Sequence, residues 1–132
     1  MVILWMASMV LDYITGSCAA WKAGEWESSV ARQGLWHKLG SIFAVLVATL
    51  SDIAILVIVE RFSEGIAPTD YKCILTPIVA MWYLFTELGS ITENAAKLGA
   101  PIPKFLVKAI AKIKTATEEK GDALVDDGEE KM

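Results

Sequence analysis

Asp12, Asp52 and Glu87 each lie inside a long run of mostly apolar residues. An ionisable group in such a run marks a proton path, a water-lined cavity or an interhelical hydrogen bond, because lipid does not solvate its charge. Glu87 is followed at helical spacing by Ser90, Asn94 and Lys97, a polar stripe along one face. Two ladders of small residues also stand out. Ser8, Asp12, Gly16 and Ala20 step by four, as do Gly40, Ala44, Ala48 and Asp52. Small residues so spaced let helix backbones approach closely, which drives association where lipid supplies no hydrophobic force. Both ladders are therefore candidate packing and oligomerisation faces, while Asp12, Asp52, Glu87, Ser90 and Asn94 are candidate pore-lining residues. No basic residue lies deep in any of these runs, so the acids are expected to be protonated, hydrogen-bonded or in contact with water. Three uses stay open: fixing helix packing, lining a wet hole in an assembly, or coupling protons or ions in a small transporter.

The elements that must position these groups are three apolar stretches, Val2–Trp21, Leu39–Val59 and Cys73–Ile91, the last continuing as helix to about 95. A bilayer core about 30 Å thick needs ~20 such residues per helix. The expected fold is an all-α membrane protein with three transmembrane helices. Trp5 and Trp21, near the ends of the first stretch, suit the headgroup region. Residues 22–38 form a connector holding Lys22, Arg32, His37 and Lys38. Trp26 and Trp36 are its interface anchors, and Ser28 or Ser29 caps a short helix of its own. Glu60–Lys72, with Gly65 and Pro68, reads as a turn-rich loop. Pro77 is expected to kink the third helix, and Pro101 and Pro103 to end it.

Residues 104–114 then form an amphipathic basic helix. Lys104, Lys108 and Lys112 step by four, Lys114 adds a fourth charge, and Leu106, Ala109, Ile110 and Ile113 supply the apolar face. That pattern suits a helix on an anionic lipid surface. Residues 115–132 are polar, acidic and poor in aromatics, the composition of a disordered tail. The expected division is a membrane domain over 1–114 and a tail over 115–132.

Composition agrees: of 132 residues 55% are hydrophobic, with a mean hydropathy of +0.47. The net charge of −4 belongs to the tail, since from Glu118 onward seven acids face only Lys120 and Lys131. The body carries no patch for nucleic acid. Cys18 and Cys73 read as small hydrophobes without ligand partners. The first stretch lacks a charged leader and a small-residue cleavage site, so it is expected to be retained. Lys97, Lys104, Lys108, Lys112 and Lys114 cluster after the third stretch, which by the positive-inside rule places the C-terminus in the cytoplasm and the N-terminus outside. Motifs for metal, phosphate or nucleophilic chemistry are missing, so no enzyme activity and no cofactor is expected.

Two stretches carry a resemblance. Met9-Val-Leu-Asp-Tyr-Ile-Thr-Gly16 resembles the early signature of a bacteriophage holin family that includes clostridial toxin-export holins. Leu84-Phe-Thr-Glu-Leu-Gly-Ser-Ile-Thr-Glu-Asn-Ala-Ala-Lys-Leu-Gly-Ala-Pro-Ile-Pro-Lys104 is similar to that family's last span and its Pro-x-Pro exit. The resemblance covers roughly Met9 to Lys114. It implies a multi-pass protein of the host bacterial cytoplasmic membrane that forms a homo-oligomer among membrane lipids. It also implies lesions that release endolysin, or a toxin, as cargo. Asp12, Tyr13 and Gly16 would then belong to the first helix's packing face, and Glu87, Glu93 and Asn94 to the last helix's polar stripe. An antiholin that regulates another holin, or a small transporter or channel, is the alternative.

Overall fold

The computed structural model describes residues 1–25, 28–62 and 73–129. They fold into helices α1 (Val2–Ala23), α2 (Ser28–Phe62), α3 (Leu75–Lys97) and α4 (Lys104–Glu129), with no strand among the described residues. Two of them, α1 and the Arg32–Phe62 portion of α2, are long and apolar enough to cross a membrane. These two scarcely touch. Each packs instead on α3, which also carries α4.

The directions follow from paired residues. Trp5 meets Tyr83 and Lys22 meets Leu98, so α1 and α3 run parallel. Lys38 meets Glu87 and Asp52 meets Thr76, so α2 runs opposite to both. A small core of Trp5, Met9 and Val45, backed by Ile42, Val79, Tyr83 and Leu84, fills the junction of α1, α2 and α3. The outer faces of α1 and α2 show Ile3, Leu4, Val10, Phe43, Leu46 and Leu50 to the surroundings. On α3 nearly every residue is at least partly covered by its neighbours. This difference explains its sequence: an enclosed helix can hold Glu87, Ser90 and Asn94 because neighbouring helices cover most of it.

Chain breaks are local and chemical. Helix α1 stops at Gly24, whose φ of 71° lies in the left-handed region and whose N–H donates back to the Trp21 carbonyl. Helix α3 stops before Gly99, with a φ of 100°, and Pro101 and Pro103 follow as the exit.

Several expectations are corrected. The short separate helix at Ser28 does not exist; α2 is one 35-residue helix from Ser28 through Phe62, so Lys38 lies within it. Nothing between Arg32 and Lys38 interrupts backbone hydrogen bonding, and hydropathy marks where a helix meets lipid rather than where it starts. Pro77 does not kink α3: it is the third helical residue, in the first turn, where its missing N–H is not needed. Trp5 is no interface anchor, being 2% exposed, whereas Trp21 is 80% exposed. Residues 115–129 are not disordered, since α4 continues unbroken to Glu129, while 130–132 lie outside the described residues. Cys18 and Cys73 are free and exposed on the surface of the described structure. Trp26, Gly65 and Pro68 lie outside the described residues, while residues 60–62 of the expected loop are helical.

Candidate functional site

At mid-height of the bundle the Lys38 ammonium lies 2.8 Å from Asp12 Oδ2 and 2.6 Å from Glu87 Oε2. Each of α1, α2 and α3 contributes one charge. The Asn94 amide, one and a half to two turns beyond Glu87 on α3, donates to the other Asp12 oxygen at 3.1 Å and lies 3.4 Å from Thr15 Oγ1. Gly16 makes room for it: a Cβ there would stand 3.3 Å from Asn94 Nδ2. Asp12 and Glu87 are thus not isolated. Lys38, which adjoins the second apolar run from outside, gives Asp12 and Glu87 a basic partner that the expectation of protonation, hydrogen bonding or water contact left out.

The cluster forms one wall of a cleft of about 670 Å³ between α2 and α3. Ser41, Thr86 and Ser90 add polar atoms to it, and Gly34 and Gly40 open its mouth, with nothing within 4 Å of where a Cβ would stand. Such a space can admit water to the ion pairs without moving a helix.

Asp52 does different work. Fully enclosed at 1% exposure, it accepts hydrogen bonds from the backbone N–H groups of Ile74, Leu75 and Thr76 and from the Thr76 hydroxyl, at 2.7–3.2 Å. It caps α3 from a neighbouring helix, because α3 has no side-chain cap of its own. At the opposite end Lys22 of α1 donates to the Leu98 carbonyl at 2.6 Å and approaches that of Lys97 at 3.4 Å. The two ends of α3 are therefore held by charges of the sign that its dipole favours.

Of the remaining candidates, Ser8 is buried and Ala20 half-buried on the α1 face that meets α3. Ala48 is buried against α3, Ala44 half-buried, and Gly40 exposed. The buried faces run Trp5, Ser8, Asp12, Gly16, Ala19 on α1 and Lys38, Ser41, Val45, Ala48, Asp52 on α2. Both mix steps of three and four. A ladder of pure fours drifts about 40° per step on a helix of 3.6 residues per turn, which carries Gly40 off the face that holds Asp52. Read back from Asp52 in threes and fours, the sequence does signal Lys38. Lys104, Lys108 and Lys112 are exposed, whereas Lys114 lies over the Trp82 ring at 4.4 Å from its centre.

A sequence model described as the bacteriophage holin family matches residues 1–115. The chain belongs to this family. Among curated proteins it is similar to a "probable holin" of Bacillus phage phi105, with 29% identity over 89% of this chain and 76% of that one. It is also 32% identical, over 80% of this chain and 72% of the other, to an uncharacterized protein of Halalkalibacterium halodurans. An uncharacterized protein of Clostridium perfringens matches at 30% over 85% of this chain and 73% of its own length. No solved structure matches. A holin role in phage lysis at a membrane accords with a site built of ion pairs and apolar helices.

Proposed function

We propose that copies of this holin accumulate in the host's cytoplasmic membrane, oligomerise, and open lesions that release endolysin, or a toxin, from the cell. Helices α1, α2 and α3 cross the bilayer, with the N-terminus outside and the C-terminus inside. The observation that carries this reading is the Asp12–Lys38–Glu87 cluster beside its open cleft. An unpaired acid at the centre of a spanning helix opposes insertion by about 2.5–3.5 kcal/mol. Paired through Lys38, the two acids are tolerable in a silent, lipid-embedded protomer. The same charges, wetted through the cleft, favour water once protomers gather. One set of residues thus supports both a harmless state and an open one.

The test is culture density and membrane potential after induced expression in bacteria, with and without a cytosolic endolysin. A silent lag, abrupt depolarisation, and lysis only with endolysin are the expected results. Membrane insertion without depolarisation would overturn the proposal, and a delay imposed on a second holin would then identify an antiholin.

A further inference from the structure

The cleft beside the ion cluster has a buried floor and an open mouth. Glu87 and Ser41 on the floor are 8% and 5% exposed, whereas Gly34, Trp36 and Gly40 at the mouth are exposed. Asp12 and Glu87 share one ammonium, so with both ionised the cluster carries one negative charge in excess. The next cation, Lys114, lies over the Trp82 ring and lines a separate groove between α3 and α4.

The floor is rich in acceptors. Ser41 Oγ donates to the Lys38 carbonyl at 2.7 Å, and Thr86 Oγ1 to the Trp82 carbonyl at 2.9 Å. Their protons are used within their own helices, which leaves oxygen lone pairs for the cleft. Glu87 bonds to Lys38 through Oε2, and its Oε1 has no hydrogen-bond partner among the described residues. A proton on Glu87 would balance the excess charge but would engage one acceptor only. A primary ammonium carries three donors and satisfies charge and acceptors together. The remaining space suits an apolar body. Trp82 and Tyr83 meet edge to face at 5.0 Å in the wall, and Trp36 stands at the rim. At about 670 Å³ the cleft exceeds what an ammonium alone needs and has the size of a small-molecule site.

We infer that this cleft binds a primary ammonium group carried on an apolar or aromatic body, with Glu87, Ser41 and Thr86 as its acceptors. A free arylalkylamine and the headgroup of an aminophospholipid both supply that chemistry. An occupant excludes the water that wets the ion pairs, so its effect on lesion opening rests on the proposed holin role, while binding itself does not.

The experiment is calorimetric titration of the full chain in dodecylmaltoside micelles at neutral pH. Phenethylamine is expected to bind saturably, and phenethyl alcohol and hydrocinnamate, with the same body but no cationic head, are not. Glu87→Gln should weaken amine binding about tenfold or more, the loss of one charge-assisted hydrogen bond. Gly34→Leu with Gly40→Leu should close the mouth with helix content unchanged, since a Cβ at either position meets nothing within 4 Å. Phosphatidylethanolamine retained over phosphatidylcholine through purification, and lost in both variants, would make the source a lipid. Amine binding without that preference would make it a soluble amine. Equal binding of amine and alcohol, amine binding unchanged in either variant, or neither amine binding nor lipid preference would overturn the site. Titration needs no lesion. Selective binding without depolarisation of cells would refute the holin role alone, and normal depolarisation with unselective binding would refute this site alone.

Discussion

With two carboxylates within 2.8 Å of one ammonium, replacing Lys38 by Met leaves Asp12 and Glu87 facing each other with no counter-charge. Breaking a largely buried pair in this way costs about 3 kcal/mol, whereas replacing all members together is close to neutral. Lys38→Met is therefore expected to destabilise the protomer by about that amount in detergent. Adding Asp12→Asn and Glu87→Gln should recover most of the loss. Unfolding in mixed micelles, followed by helix content, reads both; equal losses in the single and triple variants would show that pairing contributes nothing. Gly16 gives a second, steric test. Gly16→Ala requires Asn94 to yield a few tenths of an ångström, while Gly16→Leu forces its amide off Asp12. The larger change is expected to cost about 1–3 kcal/mol more than the smaller. Because Gly16 faces α3 of its own chain, the damage should appear in protomer unfolding before any effect on assembly.

The helix α3 depends on groups that other helices supply. Asp52→Ala removes the acceptor for three backbone N–H groups at its N-terminus and is expected to cost about 2 kcal/mol. Asp52→Asn keeps an acceptor oxygen and should cost less. Hydrogen exchange of the first-turn amides distinguishes them: unchanged protection in Asp52→Ala would mean that water or lipid headgroups already serve those amides. How much of this was legible in the sequence depends on the element. Asp12, Glu87 and Asn94 could be recognised because each interrupts an apolar run. Lys38 is missed by hydropathy, since it adjoins a run from outside and its helix begins eleven residues earlier than that run; only the three-and-four spacing back from Asp52 points to it. The continuation of α4 past Lys114 was hidden for a related reason. Its composition is that of a solvated tail, but Thr117 and Gly121 keep its contact face against α3, and tertiary packing outweighs composition there.

For the whole molecule, the consequence of a central α3 is that its neighbours act as a sheath. Ending the chain at Ala100 removes α4 and uncovers the side of α3 that carries Trp82 and Gly89. The shortened protein is expected to accumulate several-fold less in membranes, measured by immunoblot after equal induction, and to lose depolarising activity. Full accumulation with normal depolarisation would show that α4 is dispensable to both. The low mutual contact of α1 and α2 points the same way: they are arranged around α3 rather than as a hairpin of their own.

The two charges that brace the ends of α3 also bear on how a ribosome can make this protein. Asp52 precedes the amide of Ile74 by 22 residues, and Lys22 precedes the carbonyl of Leu98 by 76. On the proposed topology both are therefore synthesised, and carried into the membrane by the apolar α1 and α2, before α3 leaves the exit tunnel. The nascent chain meets its acceptor for free amides and its donor for free carbonyls already waiting. A segment too polar to partition alone is thus received by side chains translated ahead of it, and the order of the gene becomes the order of insertion.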